Sequence, residues 1–300
     1  MRLPLFIAIL LSILSAQSFA DSNHQFSVNV GAAQLDYEDQ GEANAYSLGG
    51  TAYFEPVNKS STLPYARTAF YSRVGSVSLS ASKEKHKDLN RISVGRVLES
   101  IDAKSYSAGV FVAKKNMPIW GQLNSRYLDE ATYRYAGGLS LKTDTDFIHS
   151  VAIGAFIGEN LSVHGSYSKQ EFATHGIGVS KLFNLEQYGF FETTINYSIT
   201  ESDTDISISN NVVRNLDNKP SSRNGAIRFS YFPIPQTELS ISYQEFDYDY
   251  DLEDRFYLVG VEHYLNNNIK VALNHTSKNA VNRDNVGDYK ATSLSLGYDF

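Results

Sequence analysis

The last eleven residues, Lys290-Ala291-Thr292-Ser293-Leu294-Ser295-Leu296-Gly297-Tyr298-Asp299-Phe300, settle into a strict apolar/polar alternation. Successive side chains of an extended chain point to opposite faces. Leu294, Leu296, Tyr298 and Phe300 therefore share one side, and Ser293, Ser295, Gly297 and Asp299 share the other. The same period of two recurs upstream: Ile269, Val271 and Leu273 against Lys270, Ala272 and Asn274; Leu239, Ile241 and Tyr243 against Ser240, Ser242 and Gln244; Ile227, Phe229 and Tyr231 against Arg228 and Ser230; Val77 and Leu79 against Ser76, Ser78 and Ser80. No stripe of helical period competes with it.

The pattern predicts strands over 147–157, 160–169, 172–183, 188–199, 223–233, 237–247, 254–265, 268–278 and 289–300. Each is near the ~9–11 residues that a tilted membrane-spanning strand needs. Short turns such as Asn266-Asn267-Asn268 alternate with mostly longer polar loops such as 200–222, as the two rims of an outer-membrane barrel do. The first half is less regular and is assigned strands over 25–36, 45–55, 64–82, 89–98, 104–113, 119–129 and 132–142. The stretch 64–82 is too long for one regular strand, so a bend is expected near Arg73-Val74-Gly75. The expected fold is an all-β, antiparallel transmembrane β-barrel of 14 to 16 strands, 16 preferred, with both termini on one side.

A soluble sandwich also alternates, and what decides against it is the content of the two faces. Aromatic residues gather at strand ends (Tyr53, Phe54, Phe183, Tyr231, Phe232, Tyr264), where interfacial girdles lie, while the opposing faces are Ser-, Asn- and Gly-rich over whole strands. Residues 1–20 carry one charge, Arg2, an apolar stretch from Leu3 to Leu14, and the small-residue exit Ser18-Phe19-Ala20. That is the layout of a secretory signal peptide, with cleavage expected after Ala20 and a barrel over 21–300. Beyond it the longest apolar run, Val151 to Gly158, is far below the ~20 residues of a spanning helix.

Composition narrows the function. With 33 acidic against 26 basic side chains in 300 residues the net charge is −7, which lacks the basic footprint of a nucleic-acid binder. The chain has no cysteine, so disulfides, thiolate metal sites and thiol nucleophiles are all excluded.

The segment Tyr53-Phe54-Glu55-Pro56-Val57, followed by Ala69-Phe70 and Ser76-Val77-Ser78-Leu79-Ser80, resembles the N-terminal pattern of the general bacterial porins of Gram-negative outer membranes. The terminal Leu296-Gly297-Tyr298-Asp299-Phe300 resembles the final strand of such barrels, in which Tyr298 and Phe300 would be read by the outer-membrane assembly machinery. The resemblance implies a water-filled barrel for passive solute passage, with no catalytic residues. A mature length of 280 residues is below that of the larger general porins, which speaks against a deep pore-constricting loop and a stable trimer.

Sites of chemistry are few. His149 and Ser150 are adjacent on a strand and face apart, while His275 and Ser277 share a face that the apolar pattern assigns to lipid. The acidic run Asp247, Asp249, Asp251, Glu253 and Asp254 fails the EF-hand pattern, because Leu252 stands where glycine is needed and Leu258 where the bidentate glutamate is needed. A solvated loop is the simpler reading, with weak divalent-cation association with lipopolysaccharide as the sharper one. No cofactor and no catalytic or metal site is called for.

The informative set is the charges that alternation places on the lumen wall: Arg126, Arg134, Lys142, Arg228 and Lys270, with Glu192, Glu262 and His164. Arg or Lys on the lipid face costs ~2–4 kcal/mol at the midplane, so such residues face water and can set ion selectivity. The wall balance of +3 predicts a weak anion preference. The expected function is passive diffusion of small hydrophilic solutes across the cell outer membrane, among lipid and lipopolysaccharide, with self-association left open. The alternative is a non-conducting structural or adhesive barrel with surface-binding loops.

Overall fold

The computed structural model describes residues 23–37, 41–59, 62–93, 96–135, 140–142, 145–169, 172–202, 221–248, 252–281 and 288–300. Sixteen strands are present among them: β1 (Asn23–Tyr37), β2 (Gly41–Asn58), β3 (Ser76–Ser93), β4 (Arg96–Val112), β5 (Ile119–Leu128), β6 (Thr132–Tyr135), β7 (Ser140–Lys142), β8 (Asp146–Ile157), β9 (Leu161–Lys169), β10 (Phe172–Asn184), β11 (Phe190–Ser202), β12 (Ser221–Ile234), β13 (Thr237–Tyr248), β14 (Leu252–Tyr264), β15 (Ile269–Val281) and β16 (Tyr289–Asp299).

Every strand pairing among the described residues is antiparallel. The β1–β16 seam joins the first strand to the last, and the β3–β4 pairing completes the ring, so fourteen of the sixteen strands form a closed barrel. Closure matters because in hydrocarbon an open edge would leave a row of unsatisfied backbone groups. The last strand is locked into the first by Ser27 opposite Asp299 through Tyr37 opposite Tyr289, and the Phe300 carbonyl accepts from the amides of Gln25 and Phe26.

Register carries the apolar residues of each strand into continuous rows. Leu294, Leu273, Val261, Leu239, Tyr231, Phe191 and Phe183 are successive cross-strand partners over seven strands. One residue along, the row on the opposite face reads Ser293, Asn274, Gly260, Ser240, Ser230, Glu192, Leu182. Apolar side chains on the first face stand exposed, among them Ile153 at 65%, Ile177 at 67% and Leu294 at 54%. Apolar outside and polar inside is the reverse of a water-soluble sandwich, and it is the arrangement lipid requires.

The nine strands expected after residue 146 are all present with ends shifted by no more than three residues. The first half departs in two places. The expected strand 132–142 is instead the pair β6 and β7, which continues the β5 and β8 hairpin: Thr132 partners Asp102 of β4 on one side and Lys142 on the other. This extension accounts for the difference between fourteen and sixteen. The expected strands 64–82 and 89–98 give way to one long hairpin, β3 with β4, preceded by a 3-10 turn (Tyr65–Arg67) and one turn of α-helix, α1 (Thr68–Tyr71). The charged run Lys83-Glu84-Lys85-His86-Lys87 interrupts alternation and so reads as a loop, but it is strand carried above the apolar belt, with Lys85 opposite Asp102. The chain does turn at Arg73, as expected, but from a helix rather than within a strand: Arg73 takes φ 60° and its guanidinium bonds the carbonyls of Lys115 (3.2 Å) and Gly158 (2.8 Å).

Candidate functional site

Residues 62–75 join β2 to β3 at the rim where β1 begins and β16 ends. They do not skirt this rim but cross the lumen as a strap. Pro64 opens the 3-10 turn with its fixed φ of −60°, and the Thr68 hydroxyl donates to the Pro64 carbonyl at 3.0 Å, closing the turn on itself. The helical spacing then sorts the side chains. Leu63, Ala66, Phe70 and Tyr71 pack on Leu182, Phe190 and Phe232, which are inward residues of β10, β11 and β12. Phe70 also meets Phe156 of β8, Trp120 of β5 and Phe111 of β4, with ring centroids 5.1, 5.8 and 5.8 Å away. Aromatic contacts of this kind contribute roughly 0.5–1.5 kcal/mol each beyond area burial.

Two glycines give the strap's surroundings their shape. Gly154 lies under Trp120, whose ring atoms come within 2.5 Å of where a Cβ would stand, so only glycine lets the indole lie against the wall. Gly189, at φ +88°, turns β11 inward so closely beneath Phe232 that a Cβ would fall 2.0 Å from its carbonyl oxygen.

Polar anchors hold the strap along the remaining wall. Arg67 Nε donates to Glu192 Oε2 at 2.5 Å and its NH2 group to Glu238 Oε1 at 2.9 Å, while the Tyr71 hydroxyl donates to Glu192 Oε1 at 2.8 Å. Glu192 and Glu238 have side-chain exposures of only 6% and 5%. Glu238 has further partners on its own wall, the Arg228 guanidinium at 2.6 Å and the Ser230 hydroxyl at 2.8 Å. At the strap's approach, Lys59 is ion-paired with Asp299, donates to the Asn267 carbonyl and lies 4.2 Å from the centre of the Tyr264 ring. The Tyr65 amide bonds the Pro235 carbonyl at 2.9 Å.

Burial acts on each anchor. It pulls the Arg67 guanidinium down, but Glu192 and Glu238 more than compensate and hold its pKa above the ordinary value. Burial depresses Lys59, and Asp299 opposes this only in part. The Tyr71 phenol is raised by burial and by the Glu192 carboxylate.

Beside the strap, on the side of β14, β15, β16, β1 and β2, a polar cavity of about 230 Å³ remains. Lys59, Arg67, Glu262, Lys270 and Asp299 line it. Glu262 Oε1 is buried and has no hydrogen-bond partner among the described residues.

The residues singled out from sequence fall into two sets. Arg126 faces the interior and donates to Ser105 at 3.1 Å, His164 lies against Trp120 at 5.6 Å, Arg228 pairs with Glu238, Lys270 lies 3.5 Å from Glu262, and Glu192 holds the strap. Arg134 and Lys142 are on the β6–β7 extension, where Arg134 lies 3.3 Å from Asp102 and Lys142 2.6 Å from Glu130, both more than half exposed. The expected positive wall does not hold. Without those two, and with Glu84, Glu238, Asp254 and Asp299 also on inward positions, acidic groups outnumber the basic ones Arg126, Arg228, Lys270 and Lys278 on the described strands. Tyr298 and Phe300 sit at the β1–β16 seam with rings 5.2 Å apart. Most of loop 200–222 and residues 249–251 of the acidic run lie outside the described residues.

Sequence reasoning missed Lys59, Arg67, Tyr71 and Glu238. The signal was present in Leu63, Ala66 and Phe70, whose spacing of three and four is helical and brackets Pro64.

No family model matches the chain, and no curated protein sequence matches it. Among solved structures it is similar to the Acinetobacter baumannii outer membrane protein Omp33, with a TM-score of 0.55 at 12% identity, over 93% of this chain and 99% of that one. It is also similar to a deletion mutant of the monoaromatic hydrocarbon channel TodX, with a TM-score of 0.54 at 9% identity, over 96% and 94% of the two chains. The fold is that of an outer-membrane β-barrel.

Proposed function

We infer that this chain is an outer-membrane diffusion channel for small hydrophilic solutes, of the general-porin type its sequence resembles, with no enzymatic step. Export by cleavage after Ala20 belongs to the same reading, and it puts the termini and the strap on the periplasmic side. One observation carries it: the polar inner row that runs unbroken from Ser293 to Ser230, backed by an equally unbroken apolar outer row. Hydroxyl, amide and glycine faces of this kind, enclosed by lipid, are stable only against water. The cavity beside the strap supports it too, because Glu262 Oε1 leaves an acceptor for water or a solute to fill.

A second reading, a non-conducting barrel, draws on the strap itself, which reaches inward residues of β4, β5, β8, β10, β11 and β12. Single-channel recording in planar bilayers separates the two. Discrete conductance steps from purified, heat-modifiable protein support a channel, and sustained silence under all conditions supports the closed barrel.

A further inference from the structure

We propose that the strap of residues 62–75 is a displaceable gate, latched by Arg67, and that its release turns a charge-balanced mouth into a cation-preferring one. This rests on the channel reading above and adds its regulation and solute class.

The first argument concerns where the partners of Glu192 come from. This carboxylate is buried, and the two groups that donate to it, Arg67 Nε and Tyr71 Oη, are both on the strap. Glu238 differs, since Arg228 and Ser230 of the neighbouring strand would keep it paired if the strap left. Among the described residues the wall itself offers Glu192 no hydrogen-bond donor. As barrel-wall chemistry it would be an unpaired carboxylate, stable only when lumen water reaches it. The site thus has two satisfied states: strap docked and Glu192 paired, or strap away and Glu192 hydrated.

The second argument is separability. The strap supplies no strand to the ring: β2 and β3 pair directly, from Glu42 opposite Lys87 to Tyr53 opposite Ser76. Its removal leaves every barrel ladder intact. The strap is held by its packing on Leu182, Phe190 and Phe232, by side-chain hydrogen bonds and by a few backbone bonds near its ends, and none of these is a ladder bond of the ring.

The third argument is charge. At the level of the strap the inward carboxylates are Glu192, Glu238, Glu262 and Asp299, and the cations are Lys59, Arg67, Arg228 and Lys270. These balance while the strap is docked. Withdrawing Arg67 leaves four carboxylates against three cations in a narrow space with low-dielectric walls, where fixed charge selects permeating ions. The preference is then for small cationic solutes, the opposite of what the sequence alone predicts.

The absence of cysteine makes a clean test. The Tyr65 amide bonds the Pro235 carbonyl at 2.9 Å, which holds the backbone of residue 65 against the 235–236 peptide, so Tyr65→Cys and Gln236→Cys are the pair to cross-link, with disulfide formation verified by loss of free thiol. This double variant is recorded in planar bilayers, oxidised and then reduced, beside wild type and a variant with residues 62–73 replaced by a short Gly-Ser linker. Heat-modifiable migration confirms that each barrel is folded. Expected are silence when oxidised, recovery of wild-type openings on reduction, and in the linker variant a several-fold larger, steady conductance with a cation-selective reversal potential in a potassium chloride gradient. If the oxidised pair conducts like wild type and the linker variant conducts no more, the gate is overturned while the channel reading stands. An anion-selective linker variant overturns the charge argument, and a folded but silent linker variant overturns gate and channel together. If the linker variant does not fold, the oxidised and reduced states of the cysteine pair still decide the gate.

Discussion

Arg67 Nε and Glu192 Oε2 lie 2.5 Å apart across the lumen, although 125 positions separate them in the chain. The contact joins a two-turn helical segment to the inner face of β11, and it is the shortest polar link between the strap and that wall. Breaking a buried ion pair by removing one member costs about 3–5 kcal/mol, because the remaining charge stays desolvated. Arg67→Ala therefore destabilises the docked strap by an amount of this order, while the barrel ladders are untouched. Its open probability in bilayers should exceed that of wild type with unchanged heat-modifiable migration. Equal open probabilities would show that the pair does not hold the strap.

Register in the last strand gives a second expectation. Leu294 is on the outer row, whereas Ser295 faces inward, within 3.7 Å of where a Cβ on Gly31 would lie. Leu294→Arg places a charge in hydrocarbon, at a cost of ~2–4 kcal/mol near the midplane. Ser295→Arg places it in the lumen. Yields of folded, membrane-inserted protein should fall for the first variant and remain near wild type for the second.

Much of the barrel is legible in the sequence because lipid enforces it. Where a strand must be apolar on one face for its whole length, as from Leu239 to Tyr243 or Leu294 to Tyr298, a slip of one residue reverses the faces, so the pattern fixes register. Where strands rise beyond the membrane that constraint lapses, and Lys83 to Lys87 form a ladder that alternation does not announce. The strap is harder still. Its short helix lies below any periodicity window, and its partners Glu192 and Glu238 are 125 and 171 positions away. Charge on an inward face is readable as facing water; that Glu192 is reserved for a segment of the same chain is not.

Alkaline pH should loosen the strap through Tyr71. Docked, its phenol has a pKa raised above the ordinary 10.0 by burial and Glu192. A released strap exposes it, so the released form loses its proton first. Docking is thus fully favoured below pH ~10 and is progressively lost as pH rises through and beyond that value. Lys59 works the other way, because its pKa is lowered when buried and rising pH up to its ordinary 10.5 favours the docked form. Comparing wild type with Tyr71→Phe isolates the phenol. Open probability of wild type should climb between about pH 10 and 12 more steeply than that of the phenylalanine variant. Superimposable pH profiles would remove Tyr71 from the latch.

The single tryptophan of the chain reports on the strap directly. Trp120 is 5% exposed, with its indole N–H donated to Ser162 at 3.0 Å and its ring between Phe70 of the strap and Phe111 and His164 of the wall. Of these neighbours only Phe70 leaves when the strap is released, and its place is then open to lumen water. Replacing residues 62–73 by a linker should shift the tryptophan emission to longer wavelength and raise its quenching by acrylamide. Phe70→Ala should do the same to a smaller degree, since it opens one side of the ring while the strap stays anchored through Arg67. The oxidised Tyr65→Cys, Gln236→Cys protein should match wild type. A linker variant with unchanged emission and quenching would mean that Trp120 is shielded by the barrel wall alone, and that Phe70 does not pack on it in solution.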